Sequence, residues 1–311
     1  MTATSLVIGS LVSTRLRLPP AEWYPAGHPD IEVARVALGD GVSLRVLSSG
    51  PASGPPVVLV HGWAISAYLW RHTIPALAAA GFRAYAADLP GCGLSDAPTA
   101  PGSYTLDAMT TWLARLYDAL GLDAAPLAAQ SMGARIAVEL ARRAPARVPR
   151  LALYGPAGFG DIAPASAFAP FIPRLPGAIP SLLVTRDMVD FVQRRVHGKL
   201  GWFTDRDTDE YWAPTQFPDV VRAQLQMLAE FDWAPHDERA LATLATPTMV
   251  VFGTADRTVR PVHAERLVRV MPRGRLEWIE GGGHVVMEES PEYVNRQLVA
   301  FLREGRGADG A

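Results

Sequence analysis

Leu127-Ala-Ala-Gln-Ser-Met-Gly-Ala-Arg-Ile136 sets Ser131 between two small residues, Ala129 and Gly133, each two positions away. An apolar, strand-like run leads into it, and Met132 to Arg143 follows with helical composition. This is the sequence form of a nucleophile elbow, a sharp strand-to-helix turn that holds a serine hydroxyl above a sheet. Small flanking residues are needed because the turn brings strand and helix backbones together and leaves no room for branched side chains. The competing reading is a helix start capped by serine, a favoured N-cap residue. Small-x-Ser-x-small also recurs by chance in a chain rich in Ala and Gly, so the rest of the chain must decide.

The 311 residues amount to one large or two small domains. A chain this long buries about three quarters of its unfolded surface without covalent staples. A hydrophobic content of 49% and a charged content of 19% exclude disorder and suit a core-rich enzyme. The formal net charge of −2 gives no basic field, so nucleic acid is not an expected partner. One cysteine, Cys92, rules out a disulfide framework and a cysteine-based zinc site, and the cytoplasm is the expected location. The apolar run Ser5 to Val12 is short and follows no Lys or Arg, so it reads as a mature start rather than a signal peptide. No stretch approaches the ~20 apolar residues of a membrane helix, and no membrane insertion is expected. Arg303 to Ala311 reads as a frayed end.

No internal repeat is present. Val33 to Leu38 and Val42 to Ser48 alternate around Gly39-Asp40-Gly41, which predicts a hairpin. From Val57-Val-Leu-Val60 onward the pattern predicts strands over 82–87, 126–130 and 151–154, with helices over 106–120 and 132–143. It resumes as strand 248–252, helix 262–270, strand 275–279 and helix 292–302. Buried apolar strands alternating with helices mean a parallel sheet covered on both faces, with the hairpin as an antiparallel edge. Such sheets place their ligand site at the carboxyl ends of the strands. The interruption from Gly155 to Asp237 is rich in Pro and aromatics, including Phe168, Phe171, Trp212 and Trp233. Helices over 188–196 and 220–231 and no strand pattern predict a helical cap, inserted after the sixth strand and lying over the site.

A serine nucleophile needs a base, and the base needs an orienting acid. Asp256 sits in the loop after the apolar run Val250-Val-Phe252, and His284 in the glycine-rich loop after the last strand. Both fall on the strand-end rim where Ser131 emerges, in the order Ser, Asp, His expected of this fold class. An Asp after Gly-Thr-Ala is alternatively a turn former, and a His after three glycines alternatively caps the sheet. Joint placement on one rim favours the catalytic reading. Of the other histidines, His263 opens a helix, His197 and His236 lie in the cap, and His72 is an exposed helical residue. Acyl chemistry also needs two convergent N–H donors for the oxyanion. Met132 at the helix start and Trp63 after His61-Gly62 are the expected donors. His61 reads as a loop-fixing residue.

With His61-Gly62-Trp63, Asp88-Leu-Pro-Gly-Cys-Gly-Leu-Ser-Asp96, Ala129-Gln-Ser-Met-Gly133, Gly253-Thr-Ala-Asp256 and Gly283-His284 in view, the chain resembles the α/β-hydrolase-fold serine hydrolases. The resemblance implies a mostly parallel eight-stranded sheet with helices on both faces and an inserted helical cap. The implied core is 31–155 and 238–304 and the cap 156–237. An N-terminal extension over 1–30 and a flexible tail over 305–311 complete the division. Asp88 to Asp96 resembles the family's structural loop after the fourth strand. A phosphate-binding glycine loop is its competitor, but the third glycine and helix start are missing.

Ser rather than Asp at position 131 argues against the dehalogenase and epoxide hydrolase branches. Ser-Met-Gly with Gly155-Pro-Ala-Gly158 resembles the hydrolases that cleave carbon–carbon bonds in ring-cleavage products. Those commonly have Asn before the nucleophile and Trp after the histidine, where this chain has Gln130 and Val285. Their substrate-carboxylate arginine has no clear counterpart around Tyr211-Trp212. The expectation is therefore a carboxylesterase for small or medium acyl groups, using Ser131, His284 and Asp256. Trp63, Gln130, Trp212 and Val285 are the expected pocket residues. No metal or cofactor is implied, and the expected partner is a small-molecule ester. A homodimer is left open. The alternatives are carbon–carbon bond hydrolysis, or a ligand-binding receptor on the same fold.

Overall fold

The computed structural model describes residues 17–162, 181 and 183–304. Ser5 to Val12, Phe168, Phe171 and the tail 305–311, all read above from sequence, lie outside the described residues. Strand β3, Pro56–Val60, shows why the sheet lies at the centre of the molecule. Its Val57, Val58, Leu59 and Val60 are all fully buried, so the strand is covered on both faces. Val58 and Val60 belong to one apolar cluster and Val57 and Leu59 to another, as the two-residue side-chain period requires.

Eight strands form one sheet in the order β1-β2-β4-β3-β5-β6-β8-β10. They are β1 Glu32–Gly39, β2 Val42–Ser49, β3, β4 Arg83–Ala87, β5 Leu127–Gln130, β6 Leu151–Tyr154, β8 Thr248–Gly253 and β10 Gly274–Ile279. Only β2 runs against its neighbours, pairing antiparallel with β1 and with β4. Every other pairing in this sheet is parallel. One face is covered by helices Leu106–Ala119 and Ser131–Arg143 and the other by Thr73–Ala79 and Pro291–Arg303. Helix Leu106–Ala119 starts where the Thr105 side chain accepts from the Ala108 N–H. It turns Met109, Leu113 and Leu116 inward at spacings of four and three.

The long connection between β6 and β8, called the insertion below, holds helices Arg186–Val196, Asp205–Trp212 and Pro218–Glu230 among the described residues. It also holds a strand that the sequence pattern missed. β7, Asp161–Ile162, pairs antiparallel with β9, Val259–Arg260, in a separate two-stranded ribbon. Two residues are too few for a two-residue period to register.

Residues 17–31 are a strap rather than a loose extension. Trp23, Tyr24 and Ile31 are buried. The Tyr24 N–H donates to Glu210 of the insertion at 2.8 Å, and its carbonyl accepts from Arg45 of β2. A second tie holds the loops beyond the strand ends. The fully buried Asp88 carboxylate accepts from the Ala67 N–H at 2.7 Å, the Leu94 N–H at 3.0 Å and the Arg45 guanidinium at 3.2 Å. Gly93 is obligatory beside it, because a Cβ there would lie 2.1 Å from the carboxylate. Removing one partner of a buried ion pair strands the other. Asp88→Ala is therefore expected to lose about 3–5 kcal/mol, measured as a lower urea midpoint at unchanged m-value. A loss below about 1 kcal/mol would show that other contacts hold these loops.

Candidate active site

β5 ends at Gln130, and the next residue already begins helix Ser131–Arg143. The reversal is absorbed at Ser131, whose φ of +51° lies in the left-handed region that favours glycine. Close packing explains the small neighbours. A Cβ on Gly133 would sit 2.3 Å from the His61 carbonyl, and one on Gly62 would sit 2.3 Å from Gln130 Oε1 and 3.0 Å from Ser131 Cβ. Met132 is the second residue of the helix, and its N–H is among the four that have no partner within a helix.

The loop after β8 delivers Asp256. Its Oδ1 accepts from the N–H groups of Thr258 and Val259 at 2.8 and 3.0 Å. Its Oδ2 faces His284 Nδ1 at 2.8 Å. A carboxylate only accepts, so Nδ1 carries the proton and Nε2 keeps a lone pair. Both residues are buried. Glycine permits this approach: a Cβ on Gly155 would stand 2.8 Å from His284 Nδ1 and 3.2 Å from Asp256 Oδ2. The His284 loop is also clasped from outside, since its N–H donates to the Val196 carbonyl at 2.7 Å. Glu289 accepts from the N–H groups of Gly283 and Gly198, while burial raises its carboxyl above the usual carboxylate range.

Ser131 and His284 line one cavity of about 600 Å³ with Trp63, Gln130, Tyr211, Leu228, Trp233 and Val285. The Trp63 indole N–H donates to the Gln224 carbonyl, fixing its ring against the insertion. The residue after it, Ala64, adopts a φ of +59°, so the chain turns sharply there. Gln130 is buried, and its amide donates to the His284 carbonyl at 3.3 Å. Trp212 does not line the cavity, contrary to expectation. It is buried with its indole N–H on the Val184 carbonyl, and its neighbour Tyr211 faces the cavity instead. Adjacent helical residues point about 100° apart, so proximity in sequence to an aromatic pocket residue is a poor guide.

His61, His236, His197, His263 and His72 lie outside the lining of this cavity. His61 is fully buried, with Nε2 accepting the Leu89 N–H at 2.9 Å and Nδ1 against the Gly62 carbonyl. Burial holds its pKa down. His236 packs edge-on against Phe159, and burial lowers its pKa to about 3. His197 caps its own helix through the Gln193 carbonyl, and His263 and His72 each precede a helix.

Sequence reasoning missed Glu288, a charged lining residue. It pairs with Arg71, which also pairs with Asp207, and it accepts from the Tyr211 hydroxyl. No pattern in the Glu288-Glu289 pair signals this, because the partners lie far away in the chain. Among the described residues, no three His, Cys, Asp or Glu side chains converge as a metal group. None of the described helices is long and apolar enough to cross a membrane.

A family model described as alpha/beta hydrolase fold matches residues 55–291. A carboxylesterase from Bacillus subtilis, YbfK, is 28% identical over 269 residues, 84% of each chain. A 2-hydroxy-6-oxononadienedioate/2-hydroxy-6-oxononatrienedioate hydrolase from Burkholderia vietnamiensis is 30% identical over 292 residues, 85% of this chain and 93% of that one. The crystal structure of the Bacillus carboxylesterase CesB (YbfK) superposes with a TM-score of 0.77 at 24% identity, covering 92% of this chain and 95% of that one.

The left-handed turn generates a stability expectation. Glycine adopts it freely and alanine does not, so Ser131→Gly is expected to exceed Ser131→Ala by about 1 kcal/mol. Chemical denaturation of the two variants measures the difference. Equal stabilities would mean that the turn stores no strain.

Proposed function

The chain belongs to the α/β-hydrolase fold family of hydrolases, and on that premise we propose that it cleaves carboxylic esters through an acyl-enzyme on Ser131. The observation that carries this reading is the 2.8 Å contact of His284 with Asp256, in the cavity that His284 shares with Ser131. His284 Nε2 takes the proton of the Ser131 hydroxyl as its oxygen attacks the ester carbonyl. Asp256 holds the imidazole in the required tautomer and stabilises the imidazolium. The N–H groups of Met132 and Trp63 receive the oxyanion, and the helix dipole behind Met132 adds to that field. Collapse of the tetrahedral intermediate passes the proton from His284 to the leaving alcohol. A water then repeats the sequence with His284 as base and frees the acid.

The largely apolar lining suits small or medium acyl groups, with the insertion acting as a cap over them. The Bacillus carboxylesterase supports the ester reading. Carbon–carbon hydrolysis is the competing chemistry, supported by the Burkholderia relative. Gln130 and Val285, at positions where those enzymes commonly carry Asn and Trp, weigh against it.

Ser131→Ala is expected to lower kcat on p-nitrophenyl esters by about 10⁴-fold or more and to abolish fluorophosphonate labelling. Ester turnover that survives in this variant overturns the assignment of Ser131. A ring-cleavage dienoate turned over faster than every ester in a panel would transfer the proposal to carbon–carbon hydrolysis.

A further inference from the structure

We propose that the cavity accepts an ester carrying an ammonium group, and that Glu288 is the residue that receives it. The inference rests on the esterase reading above and names the substrate class of the same site. Glu288 lines the cavity four residues beyond His284, and its side chain is only 2% exposed. Its Oε1 accepts from both the Arg71 guanidinium and the Tyr211 hydroxyl. No hydrogen bond reaches Oε2 among the described residues, so one carboxylate oxygen is left for a ligand. Arg71 is divided as well. It pairs with Asp207 at 2.8 Å, and Asp207 accepts from the Tyr68 hydroxyl at 2.7 Å. Burial favours the neutral acid, but Arg71 and the Thr204 hydrogen bonds hold the Asp207 carboxyl below the usual carboxylate range. One guanidinium thus faces two carboxylates, all largely buried, and the cluster carries an excess negative charge.

The groups packed around this cluster do not cancel that charge. Arg206 is matched by Glu210, and Arg45 by Asp88. His72 faces the same carboxylates, but burial and Arg71 hold its pKa down. Around Arg195, the other charged lining residue, the signs balance: Arg195, Arg257 and Lys199 stand among Asp256, Glu280 and Glu289. The cation that the Glu288 side lacks is one that a ligand can bring. The lining offers such a group further acceptors. Gln193 Oε1 is buried without a hydrogen-bond partner, and buried polar atoms are rarely left so. Thr258 Oγ1, likewise unpartnered, can also accept. An ammonium carries N–H donors and no acceptor, which suits this lining. Trp63, Tyr211 and Trp233 are lining residues too, and a cation is attracted to aromatic faces. A substrate carboxylate would find no use for these acceptors and would be repelled by Glu288.

The matched pair 4-nitrophenyl 6-aminohexanoate and 4-nitrophenyl heptanoate differs at the chain end, ammonium against methyl. Glu288→Gln keeps the shape and an acceptor for the Tyr211 hydroxyl, while Arg71 retains Asp207. It therefore removes the excess charge without stranding the guanidinium. The ratio of kcat/KM, aminohexanoate over heptanoate, is expected to fall about tenfold in this variant, mainly through KM. Asp207→Asn removes the same charge from outside the cavity and should lower the ratio by about threefold. That variant decides the matter should Glu288→Gln fail to fold. Titration calorimetry on Ser131→Ala provides a readout independent of turnover. There, butyl 6-aminohexanoate (ammonium on the acyl side) and 4-aminobutyl acetate (alcohol side) are each compared with and without Glu288→Gln. Weaker binding in the double variant, for either placement, supports the subsite and identifies the side. Equal ratios and equal binding with and without these changes overturn it, whatever the fate of the esterase reading. Absent ester turnover with Glu288-dependent ammonium binding would instead overturn the esterase reading and leave the subsite standing.

Discussion

The turn at Ser131 is the constraint on which the rest of the site depends. A non-glycine residue with φ of +51° persists only where its surroundings hold it there. Here the holding is steric and comes from the loop after β3: the His61 carbonyl stands where a Cβ on Gly133 would be, and Gln130 packs against Gly62. That loop is in turn held by His61 on the Leu89 N–H and by Asp88 on the Ala67 N–H. The position of Ser131 is therefore set by two neighbouring strand ends and their buried hydrogen bonds. This places the strain on rigid elements, where it costs least in disorder.

The histidine side is built differently. Its loop lies between the end of β8, where Gly253 lets the Gly282 carbonyl approach, and the insertion, where Val196 accepts the His284 N–H. Glu289 closes the arrangement by accepting from Gly283 on one side and Gly198 on the other. His284 is thus positioned partly by the segment that also lines the cavity. Changes in the insertion can reach His284 through these bonds. Such coupling is local and physical: it runs through the Val196 carbonyl and the Glu289 carboxylate, which accept from backbone N–H groups of the loop.

Local signals were legible in the sequence and distant pairings were not. The parallel sheet announced itself because strands covered on both faces, such as Val57 to Val60, are continuous apolar runs. Ser131 and Asp256 each follow such a run and His284 follows the edge strand β10, all in turns of small residues where the spacing is itself a steric requirement. The strap has no sequence signal, since Tyr24 meets Glu210 across 186 positions and no periodicity records that bond. The β7–β9 ribbon was too short to show a pattern. Tyr211 and Trp212 could be named as a pair, but which ring faces the cavity depends on the rotation of helix Asp205–Trp212, and packing sets that rotation.

The same division explains where chemistry and selectivity reside. The groups that would move a proton stand at strand ends of the sheet, whose register leaves them little freedom. Much of the cavity wall comes instead from the insertion, through Phe191, Val192, Gln193, Arg195, Tyr211, Leu228 and Trp233. Helix Arg186–Val196 supplies both the Val196 carbonyl that holds the His284 loop and Arg195, whose Nη2 donates to the Arg257 carbonyl. Arg257, next to Asp256, answers by donating to the carbonyls of Arg194 and His197. The loop that carries Asp256 and helix Arg186–Val196 are thereby joined by hydrogen bonds in both directions. A change in that helix would therefore reach His284 through the Val196 carbonyl.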